Sequence, residues 1–330
     1  MNHLPKHVRK RLLLAAKLLV FGLVVWFVRG TLEDAWRQLG EHEWTLHPWW
    51  LLAACGLYLL GLLPAGVFWW RILRVCGQDA RLSEILRAYY IGHLGKYVPG
   101  KAMVVILRAG LIHGRRVDPG LAAASVFAET LTMMAVGAGL AAAVLAVYVR
   151  EEQGLFWGAI GLAVASLIPT IPPVFRRLAR WAGVGRSRPE VRESLQKLGY
   201  ATLLSGWIGM VLVWCLLGLS LWATIRSLGV DSLGPWEHFT GYVAAVSLAM
   251  VAGFLSLIPG GLGVRDVVLL RMTARLLPLS AGEAALAAVM LRLVWLMSEI
   301  AISVILYFCF YPKCRDDEIP TLPRSCSSSP

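Results

Sequence analysis

Gly95-Lys96-Tyr97-Val98-Pro99-Gly100-Lys101 and Ile258-Pro259-Gly260-Gly261-Leu262-Gly263 each interrupt an otherwise apolar segment of the chain. Proline removes a backbone donor and glycine tolerates angles closed to other residues, so each break ends one helix and starts another. The first divides 83–113 and the second divides 239–277. Each arm has about 13–18 residues, which is short for a full crossing at about 1.5 Å per residue. Both segments read as helical hairpins that enter and leave a bilayer on one face, with pairs of short full spans as the alternative. Around them lie long apolar runs at 12–28, 49–70, 119–148, 154–174, 200–226 and 282–311.

The whole chain carries the same signal. Of its 330 residues 58% are hydrophobic and only 16% are charged, with a mean hydropathy of +0.65. A soluble domain is nearer half apolar and about a quarter charged. The expected fold class is an all-α integral membrane protein, a polytopic helical bundle that leaves no room for an extended soluble catalytic domain. The net charge of +12 then reads by location. Lys and Arg gather at Lys6–Lys17, Arg71–Arg116, Arg176–Lys197 and Lys313–Arg324, while Glu33, Asp34, Glu41 and Glu43 lie in the loop after the first run. Cationic loops stay on the cytoplasmic side, so a multi-pass protein of the cell membrane with both termini inside is expected. No soluble basic module offers itself to nucleic acid. The six cysteines form no CxxC pair and read as structural thiols. Residues 12–28 lack a following small-x-small cleavage site and read as a retained helix.

Laying Pro99 on Pro259 superposes two halves. Span 49–70 falls on 205–226, hairpin 83–113 on 243–275, and span 119–148 on 282–311. The expected organisation is one transmembrane domain over 1–311, with halves at about 12–174 and 200–311, a cytoplasmic linker at 176–199, and a disordered tail at 312–330. The odd span 154–174 inverts the second copy, and inverted repeats with Gly/Pro-broken segments at matching places point to a transporter-type binding site. The arginines of the linker read either as topology-setting charge or as a contact for anionic headgroups.

Several chemical motifs fail on inspection. Gly95-x4-Gly100-Lys101 is followed by Ala102, where a nucleotide-binding loop needs a hydroxyl for Mg²⁺, and no strand precedes it. Gly261-x-Gly263 lacks the third glycine and the βαβ setting of a dinucleotide fingerprint. The histidines are scattered, no GxSxG occurs, and neither a cofactor nor a metal is expected. What remains is charge beside broken backbone at membrane depth. A helix N-terminus offers free N–H groups and partial positive charge. Lys96, Lys101 and Arg108 surround the first break and Arg265 the second, with Gly100, Gly260, Gly261 and Gly263 allowing close approach and Gly95, Pro99 and Pro259 shaping the kinks. Interfacial snorkelling is the competing account for the two lysines. Glu129 and Arg292 lie deep in apolar spans, about one helical turn apart in register. They are expected to pair with each other, because an unpaired intramembrane charge is expensive. Glu283 and Glu299 are weaker candidates.

At these residues the sequence resembles a known family. Gly92-His93-Leu94-Gly95-Lys96-Tyr97-Val98-Pro99-Gly100-Lys101, followed by Arg108, is similar to the first signature of the lysylphosphatidylglycerol synthase transmembrane region, the flippase-like domain family. Ile258-Pro259-Gly260-Gly261-Leu262-Gly263-Val264-Arg265-Asp266 resembles the second signature, and Arg292-x-x-Trp295 the C-terminal one. The chain departs from the family with Glu129-Thr130-Leu131-Thr132-Met133 where Glu-Arg-x-x-Asp is common, and with Asp266 where Glu is usual. The resemblance implies a multi-pass domain that moves phospholipid between leaflets, without the soluble aminoacyl transferase domain of bifunctional members.

The expected function is therefore a lipid flippase-like protein, not an enzyme, that translocates an anionic or phosphate-bearing lipid by alternating access. Its partners would be membrane lipids, bound by Lys96, Lys101, Arg108 and Arg265. The alternatives are a membrane-embedded transferase on a lipid-phosphate substrate, needing Glu129 or Asp266 as acid or nucleophile, and an accessory envelope protein.

Overall fold

The computed structural model describes residues 46–97, 102–112, 117–148, 153–181, 189–256, 258, 261 and 263–309. The expected span 12–28, the tail 312–330, and Pro99, Gly100, Lys101, Pro259 and Gly260 lie outside the described residues. Among those described, the helices are α1 Pro48–Val75, α2 Leu82–His93, α3 Ala102–Ile112, α4 Pro119–Tyr148, α5 Gln153–Leu167, α6 Pro172–Trp181, α7 Pro189–Gln196, α8 Tyr200–Ser227, α9 Phe239–Leu255, α10 Val264–Leu276 and α11 Ala281–Cys309. No strand occurs among them. Helices α1, α4, α8 and α11 are each long and apolar enough to cross a bilayer, and α5 with α6 forms a further candidate bent by 64°. The chain is thus a polytopic helical membrane protein.

The bundle is built on α1 and α8, which run antiparallel along their whole lengths. His47 N–H donates to the carbonyl of Ser227 at 2.9 Å, and Ser220 Oγ donates to the carbonyl of Ala54. Farther along, a Cβ on Gly61 would meet Leu216, and one on Gly206 would strike the Phe68 ring at 2.3 Å. The glycines let two helices with large neighbouring side chains approach closely, which is how apolar helices associate where no hydrophobic drive separates them from lipid.

Both broken segments are hairpins whose two arms return to the same end of the bundle. Gly92 of α2 sits against Arg108 of α3, and Gly95 against the backbone of Val104. In the second hairpin Gly241 of α9 meets Leu276 and Leu277, while Gly253 meets Arg265 of α10. Gly261 and Gly263 take positive φ values of 65° and 79°, angles that side-chain-bearing residues avoid. With 12 residues, α2 is about 18 Å long, well short of a hydrocarbon core of about 30 Å.

Packing is symmetric when α1, α2, α3 and α4 are exchanged with α8, α9, α10 and α11. The contact of α4 with α9 is matched by that of α11 with α2. In the same way α3–α4 matches α10–α11, and α1–α4 matches α8–α11. The match extends to side chains. Gly66-x3-Trp70-x3-Arg74-x2-Gly77-x-Asp79 at the end of α1 repeats as Gly218-x3-Trp222-x3-Arg226-x2-Gly229-x-Asp231 at the end of α8. Trp70 and Trp222 each donate the indole N–H to a backbone carbonyl just past the turn, of Ala80 and Leu233 respectively. Arg74 pairs with Asp79 at 3.2 Å and Arg226 with Asp231 at 2.6 Å. Gly77 and Gly229 both adopt positive φ. This motif sets the register of α1 against α8 and replaces the pairing of 49–70 with 205–226: Trp70 corresponds to Trp222.

Candidate functional site

Lys96 at the end of the first arm of one hairpin and Arg265 at the start of α10 in the other converge beside one face of α11, where Arg292, Trp295 and Glu299 fall at i, i+3 and i+7 and therefore share a stripe. From the first hairpin, Lys96 sits on a 3-10 turn over Leu94–Tyr97 that ends α2, and its ammonium binds Glu299 Oε1. Tyr58 of α1 donates its hydroxyl to the same oxygen and stacks on Trp295 with ring centroids 4.5 Å apart. From the second hairpin, the buried guanidinium of Arg265 lies 4.7 Å from the Trp295 ring centroid. Lys96, Glu299, Tyr58, Trp295 and Arg265 thus connect the two hairpins through a polar and aromatic bridge.

Arg108 and Glu129 form a sealed ion pair at 2.7 Å, with side chains 3% and 1% exposed. Glu129 also accepts from Tyr89 Oη and from Thr130 Oγ1, each at 3.2 Å. Arg108 lies over the Tyr89 ring at 3.9 Å, and its Nη2 is 3.2 Å from His93 Nδ1. Arginine can only donate, so Nδ1 accepts and the His93 proton resides on Nε2. That nitrogen faces Glu299 Oε1 at 3.9 Å. Arg292 pairs with Asp266, whose Oδ2 also accepts from the Gly263 N–H at 3.0 Å.

The expected Glu129–Arg292 pair is therefore corrected. Each charge finds its partner inside its own half, across the second hairpin arm and the long helix after it. In the first half a cation on α3 meets a carboxylate on α4. In the second a carboxylate on α10 meets a cation on α11. The same places are used with the charges exchanged, because Arg108 and Asp266 reach Glu129 and Arg292 before those two can reach each other. The start of α10 was expected to offer free amides near Gly263, but Asp266 already occupies the Gly263 N–H. Gly95 is buried at the close contact of α2 with α3.

Arg108, Glu129, Arg265 and Arg292 are buried, while Lys96, for which interfacial snorkelling is the competing account, is partly buried with its side chain 18% exposed. His93 is one of the scattered histidines, Glu299 stands among the weaker candidates, and no sequence signal singles out Tyr58 or Tyr89. The His93–Lys96 spacing of i, i+3 and the α11 stripe were the signals that could have found two of these. No group of acidic, histidine and cysteine side chains able to hold a metal occurs among the described residues.

An all-helical membrane protein with paired broken hairpins around a buried charged cluster is the class defined by these features. The model of the family described as the lysylphosphatidylglycerol synthase TM region matches residues 14–302, and the chain belongs to that family. The comparison with curated proteins gives no match.

Proposed function

We propose that the protein translocates an anionic or phosphate-bearing lipid between leaflets, with Lys96 and Arg265 receiving the oxyanion where the two hairpins meet. The observation that carries this reading is the charge balance of the cluster. Glu129 is taken by Arg108, Asp266 by Arg292 and Glu299 by Lys96. Arg265, only 5% exposed, has no carboxylate partner among the described residues and rests on an aromatic face. A buried cation left over after the described carboxylates around it are engaged favours binding of an anion. Family membership supports a flippase-like rather than a catalytic role. The antiparallel α1 and α8 with their matching motifs support an inverted repeat, in which rocking of one half against the other would expose the shared site to each face in turn. Basic residues Arg71, Arg74, Arg81, Arg176, Arg177, Arg180, Arg192 and Lys197 collect at the end of the bundle that holds the α1–α2 turn, which we assign to the cytoplasm.

Proteoliposomes carrying lipids with a fluorescent reporter test this directly. Phosphatidylglycerol is expected to cross faster with protein than without it, and Arg265→Gln is expected to abolish most of that gain. Equal rates in protein-bearing and protein-free vesicles would dismiss the reading.

A further inference from the structure

The three ion pairs of the cluster are not equivalent, and the difference assigns a regulatory role to Glu299. In Glu129 and in Asp266 both carboxylate oxygens are engaged. In Glu299 the contacts from Lys96, Tyr58 and His93 all fall on Oε1 and the Tyr97 hydroxyl also lies beside this carboxylate, while Oε2 is buried with no hydrogen-bond partner among the described residues. Its cation is also the most exposed of the set. The Lys96 side chain is 18% exposed against 3% for Arg108 and 10% for Arg292. Lys96 sits on a short 3-10 turn and ends in a flexible stem carrying a point charge, which turns between partners more readily than a guanidinium fork. On the Trp295 ring lies Arg265, with no carboxylate partner among the described residues.

We infer that Glu299 is a built-in surrogate anion. It holds Lys96 while the site is empty and yields it when an oxyanion arrives to be shared by Lys96 and Arg265. The contact joins the end of the first hairpin arm to α11, so its exchange for a ligand loosens one link between them, while Arg87 to the Leu306 carbonyl and Ser303 to the Tyr90 carbonyl still hold α2 on α11. This inference rests on the anion-site reading above. A site whose binding-competent form is populated only in a fraction of molecules loses apparent affinity by that fraction. Removing the surrogate charge should therefore tighten binding, the reverse of the usual effect of deleting a buried site residue. The chemistry recognised is a phosphate-type oxyanion, whether a lipid phosphodiester or free phosphate.

The test is equilibrium binding of a fluorescent short-chain phosphatidylglycerol to the full chain in detergent, with a phosphatidylcholine analogue as reference and inorganic phosphate as competitor. Glu299→Gln is expected to bind phosphatidylglycerol about tenfold tighter or more than the unaltered protein. Tyr58→Phe removes one of the groups fixing Glu299 and should give a smaller gain of the same sign, which decides the matter if Glu299→Gln does not fold. Lys96→Gln combined with Glu299→Gln should bind as weakly as Lys96→Gln alone, since the surrogate acts through Lys96. Competition by inorganic phosphate at equal concentration would identify a free oxyanion as ligand and its failure a lipid; the tightening supports the surrogate in both cases. Binding by the unaltered protein with no gain in either Glu299→Gln or Tyr58→Phe overturns the surrogate and leaves the anion site standing. Phosphatidylglycerol binding no better than phosphatidylcholine in every variant removes the anion site and the surrogate together.

Discussion

Arg108 and Glu129 are held so far from water that neither can lose its partner cheaply. Breaking a buried pair from one side typically costs about 3–5 kcal/mol, because the remaining charge stays desolvated, whereas replacing both members by apolar groups is often nearly neutral. Arg108→Met should therefore destabilise the fold by about 3–5 kcal/mol, read as a lower midpoint in denaturing-detergent titration. Arg108→Met with Glu129→Leu should recover most of that loss. A double variant no better than the single would mean that the two side chains do not act as a pair. The presence of these charges was legible in the sequence, since Glu129 and Arg292 stand out in apolar runs. Their pairing was not. Periodicity says which residues share a face of one helix, but the partner on another helix depends on where the hairpin arms lie. Asp266 shows the difference: one turn into α10, it both caps the Gly263 N–H and reaches Arg292.

The glycines of the first hairpin are not equivalent, and the difference shows at the level of the element. A Cβ on Gly95 would come within 2.9 Å of the Val104 backbone, and backbone cannot swing aside as a side-chain tip can. On Gly110 of the same hairpin a Cβ would meet nothing within 4 Å. Overpacking a close contact costs about 1–3 kcal/mol, while an unneeded glycine inside a helix costs about 0.5–1 kcal/mol relative to alanine. Gly95→Ala should lower stability by about 1–3 kcal/mol and, by prising α2 from α3, slow the lipid translocation proposed above. Gly110→Ala should be neutral or stabilising. Equal effects of the two in thermal unfolding would show that arm separation is not set at Gly95. The breaks themselves were visible as Pro-Gly pairs, and the described helices end and restart beside them. The internal symmetry was hidden in part because the loops of the two halves differ in length. Aligning on the prolines displaces α1 from α8, and the shared Gly-Trp-Arg-Gly-Asp motif comes into register only when those helices are compared alone.

At the scale of the whole molecule, the antiparallel course of α1 and α8 places their matching turns at opposite ends. The α1–α2 turn carries Asp79 and the α8–α9 turn carries Asp231, with side chains 65% and 72% exposed. Near the first turn lie Arg71, Arg74 and Arg81. The second end holds Glu237 and Glu283 beside Arg226 and Arg275, a mixed population. If the basic end faces the cytoplasm, Asp79→Cys should resist a membrane-impermeant maleimide in intact cells and react after the inner face is opened. Asp231→Cys should react in intact cells. Cys76 can stay in the background, because burial pushes its thiol up to about 12 and leaves little reactive thiolate at neutral pH. Labelling of both positions from one side would contradict the antiparallel arrangement in the membrane. Asp231 labelling only from inside, with Asp79 outside, would keep that arrangement and reverse its orientation. The first hairpin, which follows the α1–α2 turn, would then enter from the outer leaflet and the second from the inner one, and the side from which an oxyanion would reach Lys96 would change with them.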